Sequence, residues 1–190
     1  TMITVLGQFT VYSYFSPILS TVGGLAEGSI VDMLFLFGLA GIAGTIIGSK
    51  TVERHRSAGL LVPLFLIAAS HVLLVTASAN VVSLSVLIFI WGAAMTTVCL
   101  AFQTLLLSAA PDAADVATSL YSGIFNVGIG GGAFIGSRVS EHFGFYPVSY
   151  VGAGLVCVSI VIMLAVWLKT GAAVFRTGFE DSRPQSGDPR

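Results

Sequence analysis

Residues 57–111 read SAGLLVPLFLIAASHVLLVTASANVVSLSVLIFIWGAAMTTVCLAFQTLLLSAAP and contain no Asp, Glu, Lys or Arg. One membrane-spanning helix needs roughly 20 apolar residues, so this stretch is too long for one and sufficient for two. It breaks at the polar cluster Thr76, Ser78 and Asn80, which predicts helices over 58–77 and 82–109. Working outward, the formal charges are also absent from 1–26, 33–49, 116–137 and 142–168. These gaps predict further spans at 2–21, 33–49, 116–137 and 147–168. The expectation is an all-α membrane protein with six transmembrane helices over 1–168 and a polar tail over 169–190. That tail ends in SRPQSGDPR, a composition of disorder.

Composition agrees with this placement. Hydrophobic types make up 55% of the 190 residues and charged types only 9%, against about 25% charged residues in a soluble domain. With 8 basic and 9 acidic residues the formal net charge is -1, which excludes a basic field for nucleic acid. Cys99 and Cys157 sit singly in apolar runs, so neither a disulfide framework nor a CxxC metal or redox site is expected, and no cofactor is called for. The apolar runs lack the period-2 alternation of an outer-membrane barrel. Inside a bilayer, backbone amides must be satisfied within their own segment, which leaves helices. The first segment has no charged leading region and is no convincing signal peptide. The chain opens on Thr1, which leaves both a fragment and a natural half-length protein open.

Orientation follows from the bias of Lys and Arg toward cytoplasmic loops. With six spans, Lys50, Arg54, Arg56 and Lys169 fall on one side with both termini, and Arg138 on the other. The expected arrangement has both termini and the 50–56 loop in the cytoplasm.

A repeat lies within the chain. Residues 37–53 read FGLAGIAGTIIGSKTVE, and 125–141, offset by 88, read FNVGIGGGAFIGSRVSE. Phe37/Phe125, Gly44/Gly132, Ile47/Ile135, Gly48/Gly136, Ser49/Ser137 and Glu53/Glu141 are identical, and Lys50/Arg138 keeps the charge. Chance likeness of two glycine-rich helices is the bland explanation. The shared ending GS[KR]xxE favours a duplication of three helices. Three is odd, so the two copies enter the membrane in opposite directions, an arrangement that secondary transporters use. Gly41, Gly44 and Gly48, and likewise Gly128, Gly132 and Gly136, share a helix face on which another helix can pack closely. Gly128, Gly130 and Ala133 satisfy GxGxxA, but no strand precedes them, so a dinucleotide site is rejected.

At this point the chain resembles the C-terminal six-helix half of a major facilitator superfamily transporter. Within it, the similarity is to the drug and sugar efflux branch of proton antiporters. The stretches that carry the likeness are GQFTVYSYFSPIL at 7–19, LFGLAGIAGTIIG at 36–48 with the charged loop behind it, and 91–136 with Gln103, Pro111, Asp112, Ser119, Asn126 and Gly128. The resemblance implies efflux of small organic solutes by alternating access in a bacterial cytoplasmic membrane. It implies as partner an N-terminal six-helix half, on a separate chain, lost by truncation, or replaced by a second copy of this chain. The 50–56 loop resembles the family's charged loop motif in degenerate form, with Ser49 for Gly, Glu53 for Asp, and Arg54 and Arg56 at basic positions. Glu53, Arg54 and Arg56 are therefore candidates for a conformational latch, or else they only set topology.

A cavity for neutral solutes needs apolar and aromatic walls with a few oriented polar groups. Gln8, Tyr12 and Phe15 share a face at i, i+4, i+7 spacing and are candidates for the substrate pathway, with Gln103 and Asn126. For both Gln103 and Asn126 a structural bond between helices is the favoured reading over substrate contact. Trp91 reads as a lipid anchor before a cavity wall, and His71 as a neutral, hydrogen-bonded histidine before a proton relay. No span carries a central Asp or Glu, so the acidic residue of any proton coupling is expected in the N-terminal half. A six-helix channel or interaction protein is the competing class, and the absence of charged rings speaks against it. No HExxH, GxSxG or acidic pair marks an intramembrane enzyme.

Overall fold

A computed structural model describes residues 1–77 and 80–170. Among them there are only helices and short connections: α1 (Met2–Tyr12), α2 (Phe15–Thr21), α3 (Glu27–Arg54), α4 (Arg56–Ala77), α5 (Val81–Ala109), a single 3-10 turn (Pro111–Ala113), α6 (Ala114–Phe143) and α7 (Tyr146–Thr170). The expected polar tail lies outside the described residues from 171 onward, and so does Ser78.

Local chemistry sets the ends. Asn80 caps α5, its side-chain oxygen accepting from the amides of Val82 at 2.9 Å and Ser83 at 3.4 Å. The helix stops at Ala109 because Ala110 precedes Pro111 and is pushed out of the helical region. Helix α6 ends at Gly144, whose φ of 79° suits glycine and lets the chain turn into α7. A single residue, His55, joins α3 to α4.

The segment 2–21, expected as one span, is instead two helices. Pro17 has no amide hydrogen to bond the carbonyl of Ser13, four residues earlier. The ladder therefore tightens to Tyr14 N–H on Val11 O at 3.0 Å before Ile18 N–H resumes on Tyr14 O at 2.9 Å. Four helices, α3, α4, α5 and α7, are long and apolar enough to cross a membrane. Helix α1 is apolar but short. Helix α6 has 30 residues, and its glycines, serines and Asn126 dilute its apolar character.

Helix α3 packs along α5, and α1 along α6; α4 packs on α5 and α7, and α1 also on α7. The core where α1, α2, α4 and α5 meet holds Phe15, Ile18, Leu64, Ile67, Ile88 and Trp91, all essentially inaccessible. Large apolar side chains also cover the outside, among them Phe35, Ile42, Val62, Phe134, Val161 and Leu168. In water such a surface would be a liability; in lipid it is the expected exterior.

The two long seams are built alike. Between α3 and α5, Ala40 lies against Gly92, Gly44 against Ala93 and Gly48 against Thr97. Between α6 and α1, Gly128 lies against Val5, Gly132 against Leu6 and Gly136 against Thr10. The contacting positions of α3 and α6 differ by the repeat offset of 88, and those of α1 and α5 by one residue less. At Gly44 and Gly132 the partner atom is a backbone carbonyl, of Ala93 and Leu6 respectively, so any side chain there would push the helices apart.

Candidate functional site

The polar groups of the spans fall into two sets, one sealed inside the helix bundle and one open at its surface. Gln8 belongs to the sealed set. Its Oε1 accepts the indole N–H of Trp91 at 2.8 Å, with the two residues 1% and 0% exposed. An indole can only donate, so a buried Trp91 requires such an acceptor. Trp91 is thus a core residue joining α5 to α1, and the expectation of a lipid anchor is corrected: four rings surround it, and none of its surface reaches the exterior. Those rings are Phe37 at 5.2 Å, Phe15 at 5.6 Å, Tyr12 at 6.4 Å and the His71 imidazole edge-on at 5.0 Å.

His71 is fully buried, and both ring nitrogens lack a hydrogen-bond partner, as does the hydroxyl of Ser149 on α7. The backbone of Gly152 lies beside His71 Nδ1, and the ring stands edge-on to Trp91. Thr4 on α1 and Ser159 on α7 do satisfy each other, at 2.6 Å.

The open set gathers where α5 meets α6. A groove of about 230 Å³ is lined by Cys99, Gln103, Tyr121, Ser122, Phe125 and Asn126. Helical spacing assembles it: Cys99 and Gln103 are one turn apart on α5, as are Tyr121 and Phe125, and Ser122 and Asn126, on α6. The Tyr121 hydroxyl donates to the Cys99 carbonyl at 3.2 Å and ties the helices together. Asn126 donates one N–H to the Ser122 carbonyl at 2.8 Å, which leaves its carbonyl oxygen for another partner. Gln103 is exposed and makes no hydrogen bond to the described residues. From the groove, aromatic rings continue across the molecule: Tyr121 to Phe125 at 5.9 Å, Phe125 to Phe9 at 6.1 Å, Phe9 to Tyr12 at 5.7 Å and Tyr12 to Phe37 at 5.0 Å.

The candidates from sequence therefore separate. Gln103 and Asn126 come together, and Tyr12 stands half-buried in the ring row between Phe9 and Phe37. Gln8 and Phe15 turn inward, because the bend at Ser13 and Tyr14 redirects the chain between them. Tyr121 and Phe125 complete the groove and were not singled out for it; their one-turn spacing beside Asn126 was the available signal.

At the 50–56 loop, Glu53 and Arg54 are exposed and no ion pair joins them to another described residue. Arg56 reaches the end of α5, its Nη1 donating to Ser108 Oγ at 3.4 Å. Glu141, 88 positions after Glu53, behaves differently. Glu141 accepts from the Ser137 hydroxyl at 2.7 Å and from Arg138 at 3.3 Å. The Ser137 hydrogen bond, and after it the charges of Arg138 and His142, hold the carboxyl below its ordinary range.

A family model described as Major Facilitator Superfamily matches residues 1–188. A protein of Mannheimia succiniciproducens called a probable sugar efflux transporter is 36% identical over 169 residues, 89% of this chain and 43% of the relative's length. The chain thus spans less than half of that relative.

Proposed function

Because the chain belongs to the Major Facilitator Superfamily of membrane transporters, we propose that it is one helical half of an efflux permease. It moves small organic solutes, sugars or drugs, by alternating access, coupled to protons through an N-terminal half. In this reading α1 with α2 forms one bent span and α6 another, so six spans make up two inverted three-helix repeats. Both termini face the cytoplasm of a bacterial inner membrane.

The observation that carries the reading is the α5–α6 groove. Asn126 lies twelve residues into α6, about 18 Å along the helix, and Gln103 six residues from the end of α5, about 9 Å. Amides held at such depth and left without full partners are costly against lipid and well placed against a water-filled path. Two amides on an aromatic wall suit hydroxyls and ring faces of a neutral solute. The matched seams, with equivalent glycines at Gly44 and Gly132, support the inverted repeat. Their packing would let each pair of helices move as a unit against the other half.

The test is solute efflux from proton-energised vesicles that contain the chain alone or together with a matching N-terminal bundle. Efflux is expected only with both, and Gln103→Leu should reduce it about tenfold or more while leaving assembly intact. Efflux by the lone monomeric chain would sink the proposal.

A further inference from the structure

A second groove, of about 310 Å³, lies where α3, α4 and α5 meet and shares no lining residue with the first. Its lining includes Ile47 and Thr51 of α3, Ala58 and Val62 of α4, and Phe89 and Ala93 of α5. The size is that of a ligand pocket, yet Thr51 and Thr97 are the sole polar side chains in the lining. It opens outward, since Ile47 is 62%, Val62 54% and Phe89 40% exposed. All three helices are long and apolar enough to cross a membrane, so the opening faces hydrocarbon.

One end of the groove is different. Thr51 and Ala58 mark it, where α3 gives way to α4 through His55. Arg54 continues the row of Ile47 and Thr51 at helical spacing, and Lys50 stands beside it; both are exposed, and no ion pair joins either to a described residue. The opening turn of α4 begins at the same place, and its first amides have no carbonyl to bond within the helix. An apolar slot in the hydrocarbon layer that ends at two cations and a helix N-terminus has the layout of one amphiphile with an anionic head.

We propose that this groove binds an anionic phospholipid, with an acyl chain along Ile47, Val62 and Phe89 and the phosphate between Lys50, Arg54 and the start of α4. The site uses neither the substrate groove nor the orientation of the chain in the membrane. Its occupant would brace α3 against α4 at their single-residue joint, so that lipid composition acts on the seam between α3 and α5.

Native mass spectrometry of the chain in neutral detergent tests this with phosphatidylglycerol and phosphatidylcholine of identical acyl chains. Phosphatidylglycerol should be retained in preference. The double change Lys50→Gln with Arg54→Gln should weaken it about tenfold or more, without altering phosphatidylcholine. Lys169→Gln, at the end of α7, should have no effect. Equal retention of the two lipids, or an equal loss in Lys169→Gln, would overturn the proposal. A phosphatidylglycerol with a photoactivatable acyl chain should mark peptides that contain Ile47, Val62 or Phe89; labelling confined to α6 and α7 would overturn it as well.

Discussion

The seam between α3 and α5 and the seam between α6 and α1 have the same spacing of small residues and the same close approach of backbones, yet they are bonded differently. Across the first, Thr97 places its hydroxyl 3.0 Å from the Gly44 carbonyl and Thr96 3.1 Å from that of Gly41. Across the second, the residue equivalent to Thr97 is Thr10, whose hydroxyl turns back to Leu6 of its own helix at 2.8 Å. Its place at the interface is taken by Tyr14, which packs on Gly136 and reaches the Ala133 carbonyl at 3.3 Å. The lesson is that seam geometry follows from where side chains are absent. Hydrogen bonds are added afterwards, differently in each seam.

The largest effect that bears on this comparison comes from filling the contact itself. Gly44→Leu and Gly132→Leu should each cost about 3 kcal/mol or more by forcing helices apart, read as a lowered unfolding midpoint in detergent. If one of the two is tolerated, the seams are not equivalent. Next is the link between α1 and α5. Gln8→Leu leaves the buried Trp91 N–H without an acceptor and should cost about 1–3 kcal/mol. Gln103→Leu, at an exposed amide, should change stability by less than about 0.5 kcal/mol. Equal losses in these two variants would erase the distinction between sealed and open amides.

Smaller still is the difference in bonding. Thr97→Val should cost about 0.6 kcal/mol, the average for hydrogen bonds between membrane helices, and Thr10→Val less, because its bond is internal to α1. The smallest effect concerns the ends of α6 and α3, where Glu141 is tied to Ser137 and Arg138 while no ion pair joins Glu53 to a described residue. Since the Glu141 carboxyl is held below its ordinary value of 4.5, its stabilising contribution is full above that pH and fades as pH falls through the lowered value. Acid titration of the end of α6, followed by exchange of its last amides, should therefore respond to Glu141→Gln.

Much of the architecture was readable in one dimension because bilayer helices obey a local rule. Each segment satisfies its own backbone, so a charge-free run bounded by Asp32 and Lys50, or by Glu141 and Lys169, announces a helix wherever it is later packed. The bend at Ser13 and Tyr14 was also implied by Pro17, though the 2–21 segment read as continuous. Burial was the part hidden from view. In a chain that is apolar inside and outside, hydrophobic pattern does not tell core from lipid face, which is why Trp91 read as an anchor and stands at the centre of the bundle.

The site divides along the same line. Gln8 and Gln103 are both single amides in apolar runs, and nothing in their neighbours distinguishes them. Their fates differ because α5 presents Trp91 to Gln8, while Gln103 falls on the side of α5 that only α6 borders. By itself, the sequence determined the membrane class and most of the helix positions, which depend on residue type along a single chain. Tertiary structure alone decided which polar groups are spent on each other and which remain open, because that depends on the rotation of each helix about its axis against its neighbours. Linear spacing does not contain that rotation.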